Sequence, residues 1–247
     1  MRVTFAGSGG VFVTKERACA CILIDDDILI DCGSGSLRNL RQLNVKLGKI
    51  KKLLITHMHC DHISDLTPLL WAMEMENRTE PLEIIGYKGI DQVTQDLLKL
   101  MNTPREYTFF DIQFKSLEGD SKFEDIETLL TIHKPPNLAY RITRNGCSVC
   151  YSGDTAYFEP LAKFASNCNL LIHDSAFLAK QKDIAIITNH STTLEAGRIA
   201  KMAKVKTLAL FHLFPYNIKL ETEYVKQAKK EFKGRVIAAK DLQKLII

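Results

Sequence analysis

The chain has 247 residues, 46% of them hydrophobic and 25% charged, with 33 basic against 29 acidic side chains and a formal net charge of +4. This is the composition of a folded globular protein with a sizeable core, and it excludes a disordered chain. The mild positive excess tolerates an anionic substrate without demanding one, and no basic run resembles a nucleic-acid arm.

No apolar run approaches the roughly 18 residues that would span a bilayer. Met1-Arg2-Val3-Thr4-Phe5 offers no signal-peptide core before the Gly7-Ser8-Gly9-Gly10 turn. The expectation is a cytoplasmic protein with no membrane segment, folded as a single domain over residues 1–247. The seven cysteines are odd in number and sit in no secretory context, so reduced thiols are expected. Cys147-Ser-Val-Cys150 has redox or zinc spacing but no second such pair, and it reads as strand.

In chain order, Val3–Ala6, Ala20–Ile24 and Ile28–Asp31 are short apolar runs that predict strands, with Asp25-Asp26-Asp27 as a hairpin tip. A helix is expected from the Gly33-Ser34-Gly35 opening to Leu43, and a strand at Lys52–Thr56. Helical spacing at Leu66–Met75 and Ile90–Met101 brackets a buried strand at Leu82–Gly86. Trp71, Met73 and Met75 read as helix packing. Further strands are predicted at Phe109–Ser116, Ile126–His133, Ala139–Thr143 and Ser148–Ser152, then a helix near Phe158–Ala165 and a strand at Asn169–His173. Thr192-Thr193-Leu194-Glu195 is a capping-box start for a helix to Lys204. Strand Thr207–Phe211, a helix over Glu221–Phe232 and a strand at Val236–Ala238 complete the chain. Two packed sheets with helices on their outer faces follow from this order.

Three of the seven histidines fall within His57-Met58-His59-Cys60-Asp61-His62, directly after an apolar strand. His57 and His59, two apart, can face one metal, while Asp61 and His62 are offset by the turn and can face a second. Imidazole plus carboxylate suits zinc, with manganese or iron as alternatives. A surface His-rich loop is the competing reading, and four ligand-type residues in six positions weigh against it.

This H-x-H-x-D-H motif is the hallmark of the metallo-β-lactamase superfamily, and the chain resembles it throughout. Ile28-Leu29-Ile30-Asp31-Cys32-Gly33, Thr131-Ile132-His133, Tyr151-Ser152-Gly153-Asp154-Thr155 and Leu210-Phe211-His212 each resemble a segment of that family. The resemblance implies an α/β fold, the four-layer αβ/βα sandwich. It implies two divalent ions: His57, His59 and His133 on the first, Asp61, His62 and His212 on the second, and Asp154 bridging them.

Leu171-Ile172-His173-Asp174-Ser175-Ala176 and Asn189-His190-Ser191-Thr192 resemble the ribonuclease Z group. The resemblance casts Asp174 as the residue that orients His190, and His190 as the group that assists the leaving oxygen. Asp61, Asp174 and His190 would then carry the catalysis, and His173 reads as packing. Members that process tRNA carry a long arm between the third histidine and the bridging aspartate. Here His133 and Asp154 are only 21 positions apart, so that arm is absent.

The expectation is a binuclear metal-dependent phosphodiesterase acting on a small-molecule or nucleic-acid phosphodiester. The alternatives are an ester, thioester or lactone hydrolase, a non-catalytic RNA- or metal-binding module, and an oxidoreductase if iron fills the site. Members of the group often dimerise, so a homodimer is expected, although no segment identifies its interface. Asn137, Tyr140 and Arg141 should border the metals, with Lys134 and Arg141 as phosphate contacts; surface or structural roles are the equal reading. Ser64 and Thr155 are candidates to support the metal ligands.

Overall fold

The computed structural model describes residues 1–103, 110–214 and 221–247. Two seven-stranded sheets face each other. The first has the order β14-β1-β2-β3-β4-β5-β6. Its strands are β1 (Arg2–Gly7), β2 (Cys21–Ile24), β3 (Ile28–Ile30), β4 (Lys52–Leu54), β5 (Leu82–Tyr87), β6 (Ile112–Leu117) and β14 (Lys244–Ile246). The second has the order β13-β12-β11-β10-β9-β8-β7. It is built from β7 (Ser121–Phe123), β8 (Ile126–Leu130), β9 (Leu138–Arg144), β10 (Cys147–Tyr151), β11 (Leu170–Asp174), β12 (Thr207–Phe211) and β13 (Arg235–Ala238).

The central strands β1–β5 and β9–β12 are largely buried on both faces, which explains their short, nearly unbroken apolar runs. Between the sheets, Phe5, Ile22, Ile30 and Leu54 meet Tyr140, Tyr151, Ile172 and Phe211 in one core. On the outer face of the first sheet lie α1 (Ser36–Gln42), α3 (Leu66–Met75) and α4 (Ile90–Leu100); a second core holds Leu40, Leu69, Leu70, Met73 and Leu98 against Leu53 and Ile84. On the second sheet, α5 (Pro160–Phe164), α7 (Thr193–Ala203) and α8 (Glu221–Glu231) bury Leu161, Ile199 and Tyr224 against Leu171 and Leu208. The result is the expected four-layer αβ/βα sandwich.

α7 starts where the capping box places it. Thr192 Oγ1 accepts from the Glu195 amide at 3.3 Å, and Glu195 Oε2 accepts from the Thr192 amide at 2.9 Å. Such a cap contributes about 1 kcal/mol. α7 and α8 then approach so closely that a Cβ on Gly197 would lie 2.5 Å from the Ala228 carbonyl oxygen.

The expected strand Ile126–His133 stops at Leu130. Beyond it the chain turns out of the sheet, with the Thr131 amide bonded to Asn137 O and the Ile132 amide to Thr155 Oγ1. That departure aims His133 at the site. The expected start at Phe109 lies outside the described residues; the strand begins at Ile112. Short α2 (Cys60–Ile63), α6 (Lys182–Thr188), β7 and β14 were not predicted. β14 is defined only by its pairing with β1, Arg2 opposite Ile246, which no local pattern announces. Met73 packs as expected, whereas Met75 is exposed and Trp71 Nε1 donates to Thr103 Oγ1 at 2.9 Å. All seven cysteines are free thiols, and neither Cys147 nor Cys150 joins a metal-ligand cluster among the described residues. No described helix is long and apolar enough to cross a membrane.

Candidate metal centre

β4, β8, β10, β11 and β12 all end on one edge of the sandwich, and each delivers site residues at or just beyond its last paired residue. Carboxyl ends of strands in α/β sheets are where ligands bind, because loops there are held by rigid elements. β4 leads to His57 and His59, and α2 carries Asp61 and His62. β8 leads to His133, β10 to Asp154, and β12 to His212, while β11 ends on Asp174.

Two ligand clusters form. His57, His59, His133 and Asp154 make one, and Asp61, His62, Asp154 and His212 make the other; the ligand atoms in each lie within 4.8 Å of one another. In the first, His57 Nε2 is 3.0 Å and His133 Nε2 is 3.3 Å from His59 Nδ1. In the second, His212 Nε2 is 3.1 Å from Asp61 Oδ2. Asp154 belongs to both. Its Oδ2 is 3.3 Å from His62 Nε2, 3.3 Å from His212 Nε2 and 3.6 Å from His57 Nε2.

The nitrogens turned away from the cavity are fixed. His62 Nδ1 donates to Asp31 Oδ2 at 2.8 Å, and His133 Nδ1 donates to the Asn189 carbonyl at 3.0 Å. His57 Nδ1 is 3.1 Å from Thr56 Oγ1. Partners of this kind orient an imidazole and leave its other nitrogen for a cation. Inside the cavity, buried Asp154 Oδ1 has no hydrogen-bond partner, and His62 Nε2 has none in good alignment, only an ion-pair contact with Asp154 Oδ2. Buried polar atoms are normally satisfied, so these orphans fit a site built for cations.

The titration behaviour agrees. Burial, with the charge of His62 adding to it, holds His57 well below the usual histidine range, and burial also lowers His59 and His133. Neutral imidazoles are the ligand form. Burial opposes charge on Asp154, but His212 and His62 outweigh it and hold its carboxyl well below the ordinary value. Burial likewise opposes charge on His62, but Asp154 and Asp31 raise it well above the usual range. Without metal, the two carboxylates are therefore paired with histidine protons.

Asp174 and His190 adjoin this centre. Asp174 is fully buried, and its Oδ2 accepts from His190 Nδ1 at 2.8 Å and from the Thr155 amide at 3.1 Å. Its Oδ1 accepts from the Ala176 amide at 3.0 Å. Burial opposes charge on His190, but Asp174 carries its pKa up to about 9. His190 lines a cavity of about 330 Å³ together with Asp61, Asp154, His212, Phe177 and Phe214. Gly10 closes one side; a Cβ there would lie 2.5 Å from the His212 ring.

The comparisons with known proteins fit this geometry. A family model described as "Anti-Pycsar protein Apyc1" matches residues 1–217. The chain belongs to the Apyc1 family. Ribonuclease Z of Nitrosopumilus maritimus (strain SCM1) is 28% identical, with all of both chains covered. Among solved structures, the metallo-β-lactamase fold protein YhfI from Bacillus subtilis is 30% identical with a TM-score of 0.84, covering 99% of this chain and 98% of its own. The short form of human tRNase Z has the same fold at 23% identity and a TM-score of 0.84, covering 100% and 99%. The fold of this Apyc1-family chain is thus that of the metallo-β-lactamase superfamily.

The other expected substrate contacts lie elsewhere. Tyr140 is buried between the sheets with its hydroxyl on Ile55 O at 2.9 Å, and Arg141 Nη1 donates to Phe164 O and Ser166 O at 2.7 and 3.1 Å. Both belong to β9, whose side chains alternate between core and helix face, so neither reaches the cavity. Asn137 holds the bridging loop instead: its Oδ1 accepts from the Asp154 amide at 3.2 Å, and its Nδ2 donates to Ser152 O at 2.9 Å. Lys134 is exposed, and Ser64 hydrogen-bonds the Cys60 carbonyl. Thr155 reaches the site through its backbone amide on Asp174. His173 Nδ1 donates to its neighbour Asp174's carbonyl at 2.6 Å, a packing role. The sequence reading missed Asp31 as the partner of His62. A carboxylate ending the apolar strand Ile28–Ile30 was the available signal.

Proposed function

We propose that the protein is a binuclear metal-dependent phosphodiesterase whose substrate is a small nucleotide phosphodiester. The observation that carries this reading is the Asp174–His190 pair beside an Asp154 shared by both candidate ligand clusters. An acyl substrate needs the metals but gives a carboxylate-oriented, protonated imidazole little to do.

His57, His59 and His133 would hold one ion, and Asp61, His62 and His212 the other, with Asp154 between them. The donor set suits zinc, with manganese or iron as alternatives. Two divalent ions supply Lewis acidity and a water that ionises near neutral pH.

The chain's own groups do the rest. Asp174 is immobilised by three backbone amides, those of Thr155, Ala176 and Ser191. It holds His190 through Nδ1, which leaves Nε2 for the substrate. With its pKa near 9, His190 carries a proton at neutral pH and can pass it to a departing alkoxide. Phe177 and Phe214 line that side of the cavity with apolar rings. The size supports a small substrate: about 330 Å³ lies at the lower end of ligand pockets, and the 21 positions from His133 to Asp154 leave no room there for a tRNA-gripping arm. The name of a relative, a ribonuclease, supports phosphodiester chemistry.

The test is hydrolysis of bis(p-nitrophenyl) phosphate and of cyclic mononucleotides by zinc- or manganese-loaded protein, against Asp154→Ala. Losing the bridging carboxylate should remove metal from the site and lower kcat/KM by about 10³-fold or more. Turnover of thioesters or lactones but of no phosphodiester would reject the proposal.

A further inference from the structure

Beside His190 the cavity has an aromatic wall that neither the metal ligands nor the proton-transfer pair accounts for. Phe177 and Phe214 stack with ring centroids 5.5 Å apart and planes 28° from parallel. Phe12 meets Phe214 edge-on at 5.3 Å and 81°. Phe177 in turn stands edge-on to His190 at 6.1 Å. The row runs from the proton donor to the cavity mouth. There Phe12 is 43% exposed and its neighbours Val11 and Val13 are 55% and 52% exposed.

The wall is built on the segments that make the site. Phe177 lies three residues beyond Asp174, and Phe214 two beyond His212. Phe12 precedes the turn in which Thr14 Oγ1 accepts from the Arg17 amide at 3.0 Å. Scattered exposed apolar residues need no explanation, but a contiguous aromatic row at the mouth of a catalytic cavity marks a ligand surface.

We propose that the row Phe12–Phe214–Phe177 is the base-binding subsite, which holds the nucleobase by stacking while the phosphodiester lies at Asp154 and His190. This rests on the phosphodiesterase reading and specifies which part of the substrate the wall takes. Aromatic rings stack on the π-face of a base and contribute substantially per base. A ribose presents hydroxyls and C–H edges rather than a π-face, so the wall should favour the base over the sugar.

Calorimetric titration of the zinc-loaded protein with adenosine 5′-monophosphate and with ribose 5-phosphate isolates the base, since the two differ only at the anomeric carbon, where a hydroxyl replaces the base. The wild-type protein should bind the nucleotide at least about tenfold more tightly. Phe214→Ala should reduce that preference to near one while leaving ribose 5-phosphate binding unchanged. Phe214→Trp should keep it and Phe214→Leu should not, because stacking needs an aromatic ring rather than bulk. Phe12→Ala, at an exposed position, gives a smaller loss in a protein whose core is untouched. Equal binding of the two ligands by the wild type, or a full preference in Phe214→Leu, would overturn the assignment. Base-dependent binding in a protein that hydrolyses no phosphodiester would support the subsite and reject the phosphodiesterase reading, so the two fail separately.

Discussion

The two ends of the sandwich use the same residue types to opposite effect. At the end away from the cavity, Arg144 bridges Asp27 at 2.6 Å and also pairs with Asp125, while Lys52 meets Glu83 at 2.6 Å and Glu124 at 3.1 Å. Every one of these carboxylates faces a permanent cation. At the cavity end, Asp61 and Asp154 face histidines. Histidine can surrender its proton at physiological pH, whereas arginine and lysine there cannot. The first end is a clamp between the sheets, and the second is a set of groups that could hold a divalent ion. What separates a structural charge cluster from a functional one is therefore whether its partners are removable.

That contrast can be tested from both sides. The largest effect is expected at the proton donor. His190→Ala should lower kcat about 10²–10⁴-fold on substrates with alkoxide leaving groups, and much less on p-nitrophenyl esters, whose leaving group needs no proton. In the intact protein, kcat should fall as pH rises through about 9, where His190 loses its proton. In Asp174→Asn that limb should move toward the ordinary histidine value, since the charge that raised it has gone. A pH limb unmoved by Asp174→Asn would refute the pairing.

Next in size is the support for the ligands. Asp31→Asn removes the carboxylate that fixes His62 and should weaken zinc binding about 10–100-fold, read by competition with a chromophoric chelator. The binding should also depend on pH with a definite sign. The pKa of His62 and of His212 is raised by the carboxylates, so a metal must displace their protons. Zinc binding should release protons, seen as a buffer-dependent heat, and affinity should fall as pH falls.

The smallest effect on activity belongs to the clamp. Arg144→Ala should leave kcat/KM within about twofold and cost about 2 kcal/mol of stability, because Asp27, Asp125 and, at 3.6 Å, Asp25 lose a shared, partly buried partner. For a chain of this size that is a fall in Tm of roughly 4–8 °C, measurable by calorimetry. A large loss of activity in this variant would erase the distinction between the two ends.

The ligands themselves were legible in the sequence because chemistry concentrates there. Four ligand-type residues in six positions have few structural explanations, and His133, Asp154, Asp174 and His212 each follow an apolar run that could only be a strand. The two sheets and the outer helices were legible for a related reason: burial on both faces leaves short unbroken apolar runs. The helix after Thr192 was readable from its cap alone.

Other features depend on contacts between residues far apart in the chain. β14 exists by pairing with β1, and the Arg144 clamp joins Asp27 and Asp125 from opposite sheets. Tyr140 and Arg141 looked like substrate contacts because they follow His133, but the pleat of β9 turns one into the core and the other onto helix-side carbonyls. Asn137 became the support of Asp154, and Phe12, Phe177 and Phe214 became one wall, only when three distant segments met. The sequence by itself determined which residues can bind metal and which segments form strands, because side-chain chemistry and local hydrophobic pattern are properties of the chain. Which charges stay unpaired, which nitrogens face the cavity and which aromatic rings touch were decided by tertiary packing, because those depend on distances that only the folded chain defines.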